Sequence, residues 1–167
     1  MVRHVRYYEP AEDQLGLEIQ AVLRADKAAG GKLRWCEPEP GGWEFDGYCA
    51  VAAAAYLFLK GEELAGLESP APDEAVNWEA SGRAARAAGY RSYQAGGPGG
   101  HWWLENTKDG SDVRIIDLNI GVEDVNDDYP YQEGTPRPFM MTGYKRPADR
   151  ALKVIQRVKA ARAASDA

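Results

Sequence analysis

Cys49, His101 and Asp117 are the residues whose types and order suit nucleophilic chemistry in this chain. A thiolate attacks a carbonyl, an imidazole carries its proton, and a carboxylate fixes the imidazole tautomer and stabilises the imidazolium. Cys49 stands in FDGYCAVAAAAYLFLKGEE, at the mouth of a small-residue helix. There the positive end of the helix dipole favours a thiolate, and a neighbouring imidazolium favours it further. Gly47 just before it permits an unusual backbone angle and close approach of a substrate. His101 opens the run HWWLEN, directly after the glycine-rich AGGPGG. A hairpin symmetric about Asp109 sets His101 opposite Asp117, Trp103 opposite Ile115 and Glu105 opposite Val113. Directly opposed residues share a face, so the register predicts an imidazole beside a carboxylate. Trp103 then shares the His101 face and Trp102 points away. Trp43, Tyr48 and Trp103 are the expected substrate-binding residues, the two tryptophans as walls of an aromatic cleft.

Other chemistries fit less well. Each residue alone has a bland role, since a lone cysteine usually packs. It is the three together, each on a suitable element, that point to catalysis. Glu44 and Asp46 lie close to Cys49, and negative charge raises a thiol pKa; Asp46 acting as the helix N-cap softens that objection. A zinc site built on Cys36, Cys49 and a histidine lacks CxxC or HxxxH spacing, so no metal is expected. GGPGG carries no Lys-Ser/Thr and precedes no helix, which argues against nucleotide binding and for a hinge admitting substrate to His101. No organic cofactor is implied. His4 lies in an N-terminal stretch expected to fray and carries little weight.

The elements that must position these groups follow from periodicity and punctuation. Leu15, Ile19, Val22 and Leu23 predict a first helix over about Ala11 to Ala29, stopped by Gly30-Gly31. WCEPEPGGWEFDGY reads as an irregular surface loop. A second helix is predicted from about Tyr48 to Lys60, ended by Gly61 and apolar nearly all round, hence buried. Asp73 is the expected cap of a third helix ending near Gly89. YRSYQ, HWWLEN and VRIIDLNI read as strands, and a long loop with YPYQEGTPRP leads to a last helix from about Pro147 to Ala164. Leu152, Ile155 and Val158 are its expected docking residues. The class is α+β: helices packed on a small antiparallel sheet, then a C-terminal helix.

The 167 residues are most simply one domain, 1–167. No run approaches the ~18 apolar residues of a membrane span, and MVRHVRYYEP has no apolar signal-peptide core. A cytoplasmic location is therefore expected, with Cys36 and Cys49 as thiols. The net charge of −6 is uneven. From Lys145 onward there are seven basic and two acidic side chains, leaving the preceding chain at −11. Basic residues along one helix usually form a solvated face, and an acidic body suits phosphate backbones poorly, so a nucleic-acid partner is not expected.

GYCAVAAAAYLFL, HWWLEN, IIDLNIG, YPYQEGTPR and KRPADRALKVIQRV together resemble a group of small bacterial and phage-encoded proteins similar to the YunG family. More distantly, the chain resembles the papain-like and transglutaminase-like cysteine enzymes. The resemblance covers roughly Gly47 to Val158. It implies a papain-like α+β fold with Cys49 as nucleophile, His101 as base and Asp117 as orienting acid. Asn119 stands where the family more often has Thr. Where papain-like enzymes place a Gln before the cysteine, this chain has Trp43 and Glu44, and the Trp43 indole is the expected substitute donor. The resemblance implies hydrolysis or acyl transfer at an amide, isopeptide or thioester bond, on a protein, peptide or small substrate, in a bacterial or phage-infected host cytosol. The rival expectation is a non-catalytic binding protein on the same fold, phage-encoded and directed at a host factor. The two differ in whether Cys49 shares a cleft with His101 or is sealed under side chains.

Overall fold

In the computed structural model, which describes residues 4–38, 40–67, 77–96, 100–108, 112–124 and 129–166, the chain begins with a short strand β1 (His4–Arg6). A 3-10 turn (Pro10–Glu12) leads into α1 (Gln14–Ala28). Then come α2 (Cys49–Ala65), α3 (Trp78–Ala87), β2 (Tyr90–Ala95), β3 (His101–Asn106) and β4 (Asp112–Ile116). A second 3-10 turn (Tyr131–Glu133), β5 (Thr135–Pro136) and α4 (Asp149–Ser165) complete the order. The expected cap Asp73, the middle of the GGPGG hinge and the hairpin centre Asp109 lie outside the described residues. The class is α+β, with four helices and one five-stranded sheet among the described residues.

α2 is the centre of the packing, because small and apolar residues cover nearly its whole circumference. Val51 through Leu59 are all buried, and α1, α3, α4 and the sheet all contact it. The expected stop at Gly61 does not occur. The helix runs on to Ala65 and ends at Gly66, whose left-handed φ of 67° closes it. Gly61 is needed for another reason: a Cβ there would lie 1.9 Å from the Ser81 carbonyl oxygen of α3. The glycine lets two helices touch rather than ending one. α1 starts later than expected, where the Asp13 carboxylate accepts from the Gly16 N–H at 3.1 Å. α4 docks through Ala151, Val154, Ile155 and Val158, a helical stripe in which Val154 takes the place expected of Leu152. Pro147 sits just before the helix rather than in its first turn.

The sheet is mixed, not antiparallel. Its order is β1-β4-β3-β2-β5. β1 runs parallel to β4 with His4 opposite Asp112, so His4 belongs to an edge strand rather than a frayed end. The β3–β4 hairpin is antiparallel with Leu104 opposite Ile116 and Glu105 opposite Ile115. That register differs from the expected one by two residues. A slip of one flips every side chain to the other face, whereas a slip of two preserves the faces. Among the described residues, no helix is long and apolar enough to cross a membrane.

Candidate active site

Cys49 is the first residue of α2, held there by the turn before it. The Asp46 N–H donates to Trp43 O at 3.2 Å and the Tyr48 N–H to Phe45 O at 3.2 Å. Gly47 has φ 93°, and a Cβ on it would come within 2.4 Å of Cys36 O. Glycine is therefore required on both counts. The helix N-cap is Tyr48, not Asp46, and it makes no side-chain cap bond. The N-cap side chain thus leaves the first-turn N–H groups of α2 uncapped beside the thiol.

His101 opens β3 and approaches Cys49 from the sheet. The thiol lies 3.9 Å from the carbonyl oxygen of Gly100 and hydrogen-bonds the His101 ring. His101 Nε2 lies 2.6 Å from Asp117 Oδ2, so one ring nitrogen is taken by the carboxylate. Asp117 follows the last residue of β4. With the register two residues from the expected one, it reaches His101 diagonally, a span that two extended side chains cover. Its carboxylate is fully buried and fully engaged. Oδ2 also accepts from the Tyr131 hydroxyl at 2.8 Å, and Oδ1 from the Asn119 N–H at 3.2 Å.

The electrostatics follow from this geometry. Burial pushes the His101 pKa down, but the Asp117 charge and hydrogen bond, with a further contribution from Cys49, reverse that. The result is a pKa pushed up to about 10, so the ring is an imidazolium at neutral pH. The Asp46 carboxyl is raised, chiefly by burial, while His101 acts in the opposite direction. Asp46 accepts from the Asn119 side chain at 3.2 Å. Glu44 pairs instead with Arg24 at 3.0 Å. The two acids expected to oppose a thiolate are thus a carboxyl hydrogen-bonded to Asn119 and a surface ion pair.

Aromatic rings enclose the imidazole. Trp103 stacks on it at 5.6 Å and 27°, while Trp43 and Tyr129 present edges at 5.7 and 5.1 Å. Trp43 is half-buried and stands where a cleft wall was expected. Trp103 is fully buried, and its indole N–H donates to Glu105 at 3.1 Å, so it backs His101 from the core rather than lining an open cleft. Tyr48 is a clearer departure. It is fully buried, and its hydroxyl donates to Asp26 at 2.8 Å, tying the start of α2 to α1. It does not reach the cleft.

Tyr129 and Tyr131 were missed as site residues. Both lie in the quoted YPYQEG stretch, which carries no periodicity and so read only as loop. The available signal was two tyrosines flanking a proline, an aromatic pair that a solvated loop does not need. Burial, then the negative charge of Asp117 and Cys49, push the Tyr129 hydroxyl up to about 12. It is therefore a neutral donor across the working range. Among the described residues, no group of three or more His, Cys, Asp or Glu is arranged to hold a metal ion. No protein-family model, curated protein or solved structure matches this chain.

Proposed function

We propose that this protein is a cysteine-dependent hydrolase or acyltransferase with a papain-like arrangement of Cys49, His101 and Asp117. The observation that carries this reading is the His101 ring, with Asp117 2.6 Å from Nε2 and the Cys49 thiol acting on the same ring. An imidazolium beside a sulfur at a helix N-terminus supports a thiolate–imidazolium pair as the resting state. The thiolate attacks the carbonyl carbon of an amide, isopeptide or thioester. The oxyanion that forms is placed to accept from the Cys49 backbone N–H. His101 gives its proton to the leaving amine or thiol, and the C–N or C–S bond breaks to leave a thioester on Cys49. Water or an acceptor amine, deprotonated by His101, then releases the acyl group and restores the pair.

Incubation with an aryl thioester or an activated peptide ester tests this by intact-mass spectrometry. The acyl group is expected as a single adduct on Cys49, absent in Cys49→Ala and strongly reduced in His101→Ala. Equal adducts on Cys36 and Cys49, indifferent to His101, would favour the binding-protein reading.

A further inference from the structure

We propose a second site, on the Trp102 side of β3, that binds a small amphiphilic monocarboxylate. Alternation along β3 turns Trp102 away from His101, and there it lines a cavity of 410 Å³ together with the first turns of α2. That volume lies within the ~300–1,000 Å³ of small-molecule sites. Ala50 and Ala54 make room by being small, and the back wall is Trp102 stacked on Phe139 at 5.9 Å. At the mouth, Trp35 is 46% and Met141 90% exposed. Large apolar side chains left in water around a concave apolar wall mark a binding surface. Met141 also holds φ 73°, a left-handed backbone that is strained for a non-glycine residue and that persists at ligand clamps.

The charge of the rim selects the ligand. Arg146, Arg150 and Lys153 line the same cavity in a chain whose net charge is −6. The Arg150 guanidinium sits 5.2 Å over the Trp35 ring, joining the cationic rim to the aromatic mouth. Guanidinium forks pair with a carboxylate in bidentate geometry. Asp149 on the same rim opposes a dianion, which favours one negative charge over the two of a phosphate monoester. An apolar body against Trp102 and Phe139 with a single acidic head against the arginines satisfies both halves.

Titration calorimetry on the whole protein with decanoate tests this, with decanol as the tail without the charge and acetate as the charge without the tail. One saturable decanoate site is expected, with decanol at least about tenfold weaker and acetate silent. Arg146→Ala with Arg150→Ala, both exposed and outside the core, is expected to weaken decanoate by at least about tenfold. Ala50→Leu, which narrows the cavity from its half-buried edge, should reduce binding with decanol and decanoate alike. No saturable decanoate binding, equal binding of decanol, or indifference to the arginine pair would overturn the proposal. None of these readouts depends on Cys49 being a nucleophile.

Discussion

His101 is charged at neutral pH because Asp117 faces it in a site with little water, and this makes its titration the most informative quantity at residue scale. Its folded pKa of about 10 exceeds the ordinary value of 6.5. The ion pair therefore contributes its full stability below 6.5 and loses it as pH rises through about 10. Asp117→Asn keeps the shape and removes the charge. His101 is then expected to titrate well below 10, followed by the proton resonances of its ring, and the basic limb of any activity should move down with it. An unchanged titration would mean that Asp117 does not hold the imidazolium. Asp117→Ala goes further and leaves the buried His101 ring without its carboxylate partner, at a cost of about 3–5 kcal/mol in urea unfolding. Tyr131→Phe removes one hydrogen bond to that carboxylate and should cost about 1.5–3 kcal/mol. A loss under about 0.5 kcal/mol would show that the hydroxyl does not support Asp117.

At the scale of elements, two glycines test how local backbone preference and packing combine: the two oppose each other at Gly61 and add at Gly47. Gly61→Ala raises helix propensity in α2 by about 1 kcal/mol, yet its Cβ would meet the Ser81 carbonyl oxygen of α3. Backbone cannot swing aside as a side chain can, so packing decides the sign. The expected net loss is about 1–3 kcal/mol, and a stabilised variant would contradict the α2–α3 contact. Gly47→Ala meets both a left-handed φ and Cys36 O, so it should displace the turn that aims Cys49. Thiol reactivity should fall more than thermal stability does. The same two positions show where sequence is legible. The long periodic helices, the strand HWWLEN and the pairing of His101 with Asp117 on one face follow from local patterns. Gly61 misleads because a close helix contact and a helix stop use the same residue. The hairpin is displaced by two because a turn sets register more finely than apolar alternation does. β1 and β5 are too short, at three and two residues, to carry any alternation. Tyr48 looks like a cleft residue next to Cys49, and only the distant Asp26 shows that it points into the core.

Across the whole molecule, the C-terminal helix is tied to the centre by charge as well as by its apolar stripe. Lys159 and Glu62 form a buried ion pair at 2.8 Å between α4 and α2. Lys159→Met leaves the Glu62 carboxylate without its ammonium, and a loss of about 3–5 kcal/mol is expected in urea unfolding. A neutral result would mean that water or another group compensates Glu62. Three other basic residues of that helix serve differently. Arg150, Lys153 and Arg157 are exposed, with Arg157 lying 3.5 Å from Asp26. No strong retention on duplex DNA is expected at about 0.15 M salt; salt-sensitive retention would make that helix a nucleic-acid surface. What distinguishes an enzyme from a binding protein on this architecture is whether one of its two cysteines is activated. Cys36 is exposed and Cys49 half-buried, so access alone favours alkylation of Cys36. Limited iodoacetamide labelling at about pH 6, where an ordinary thiol of pKa about 8.5 is almost wholly protonated, reads this directly by peptide mass spectrometry. Cys49 is predicted to label at least about tenfold faster than Cys36, and His101→Ala to abolish that advantage while leaving Cys36 unchanged. Equal rates at the two cysteines, unaffected by His101→Ala, would contradict the account.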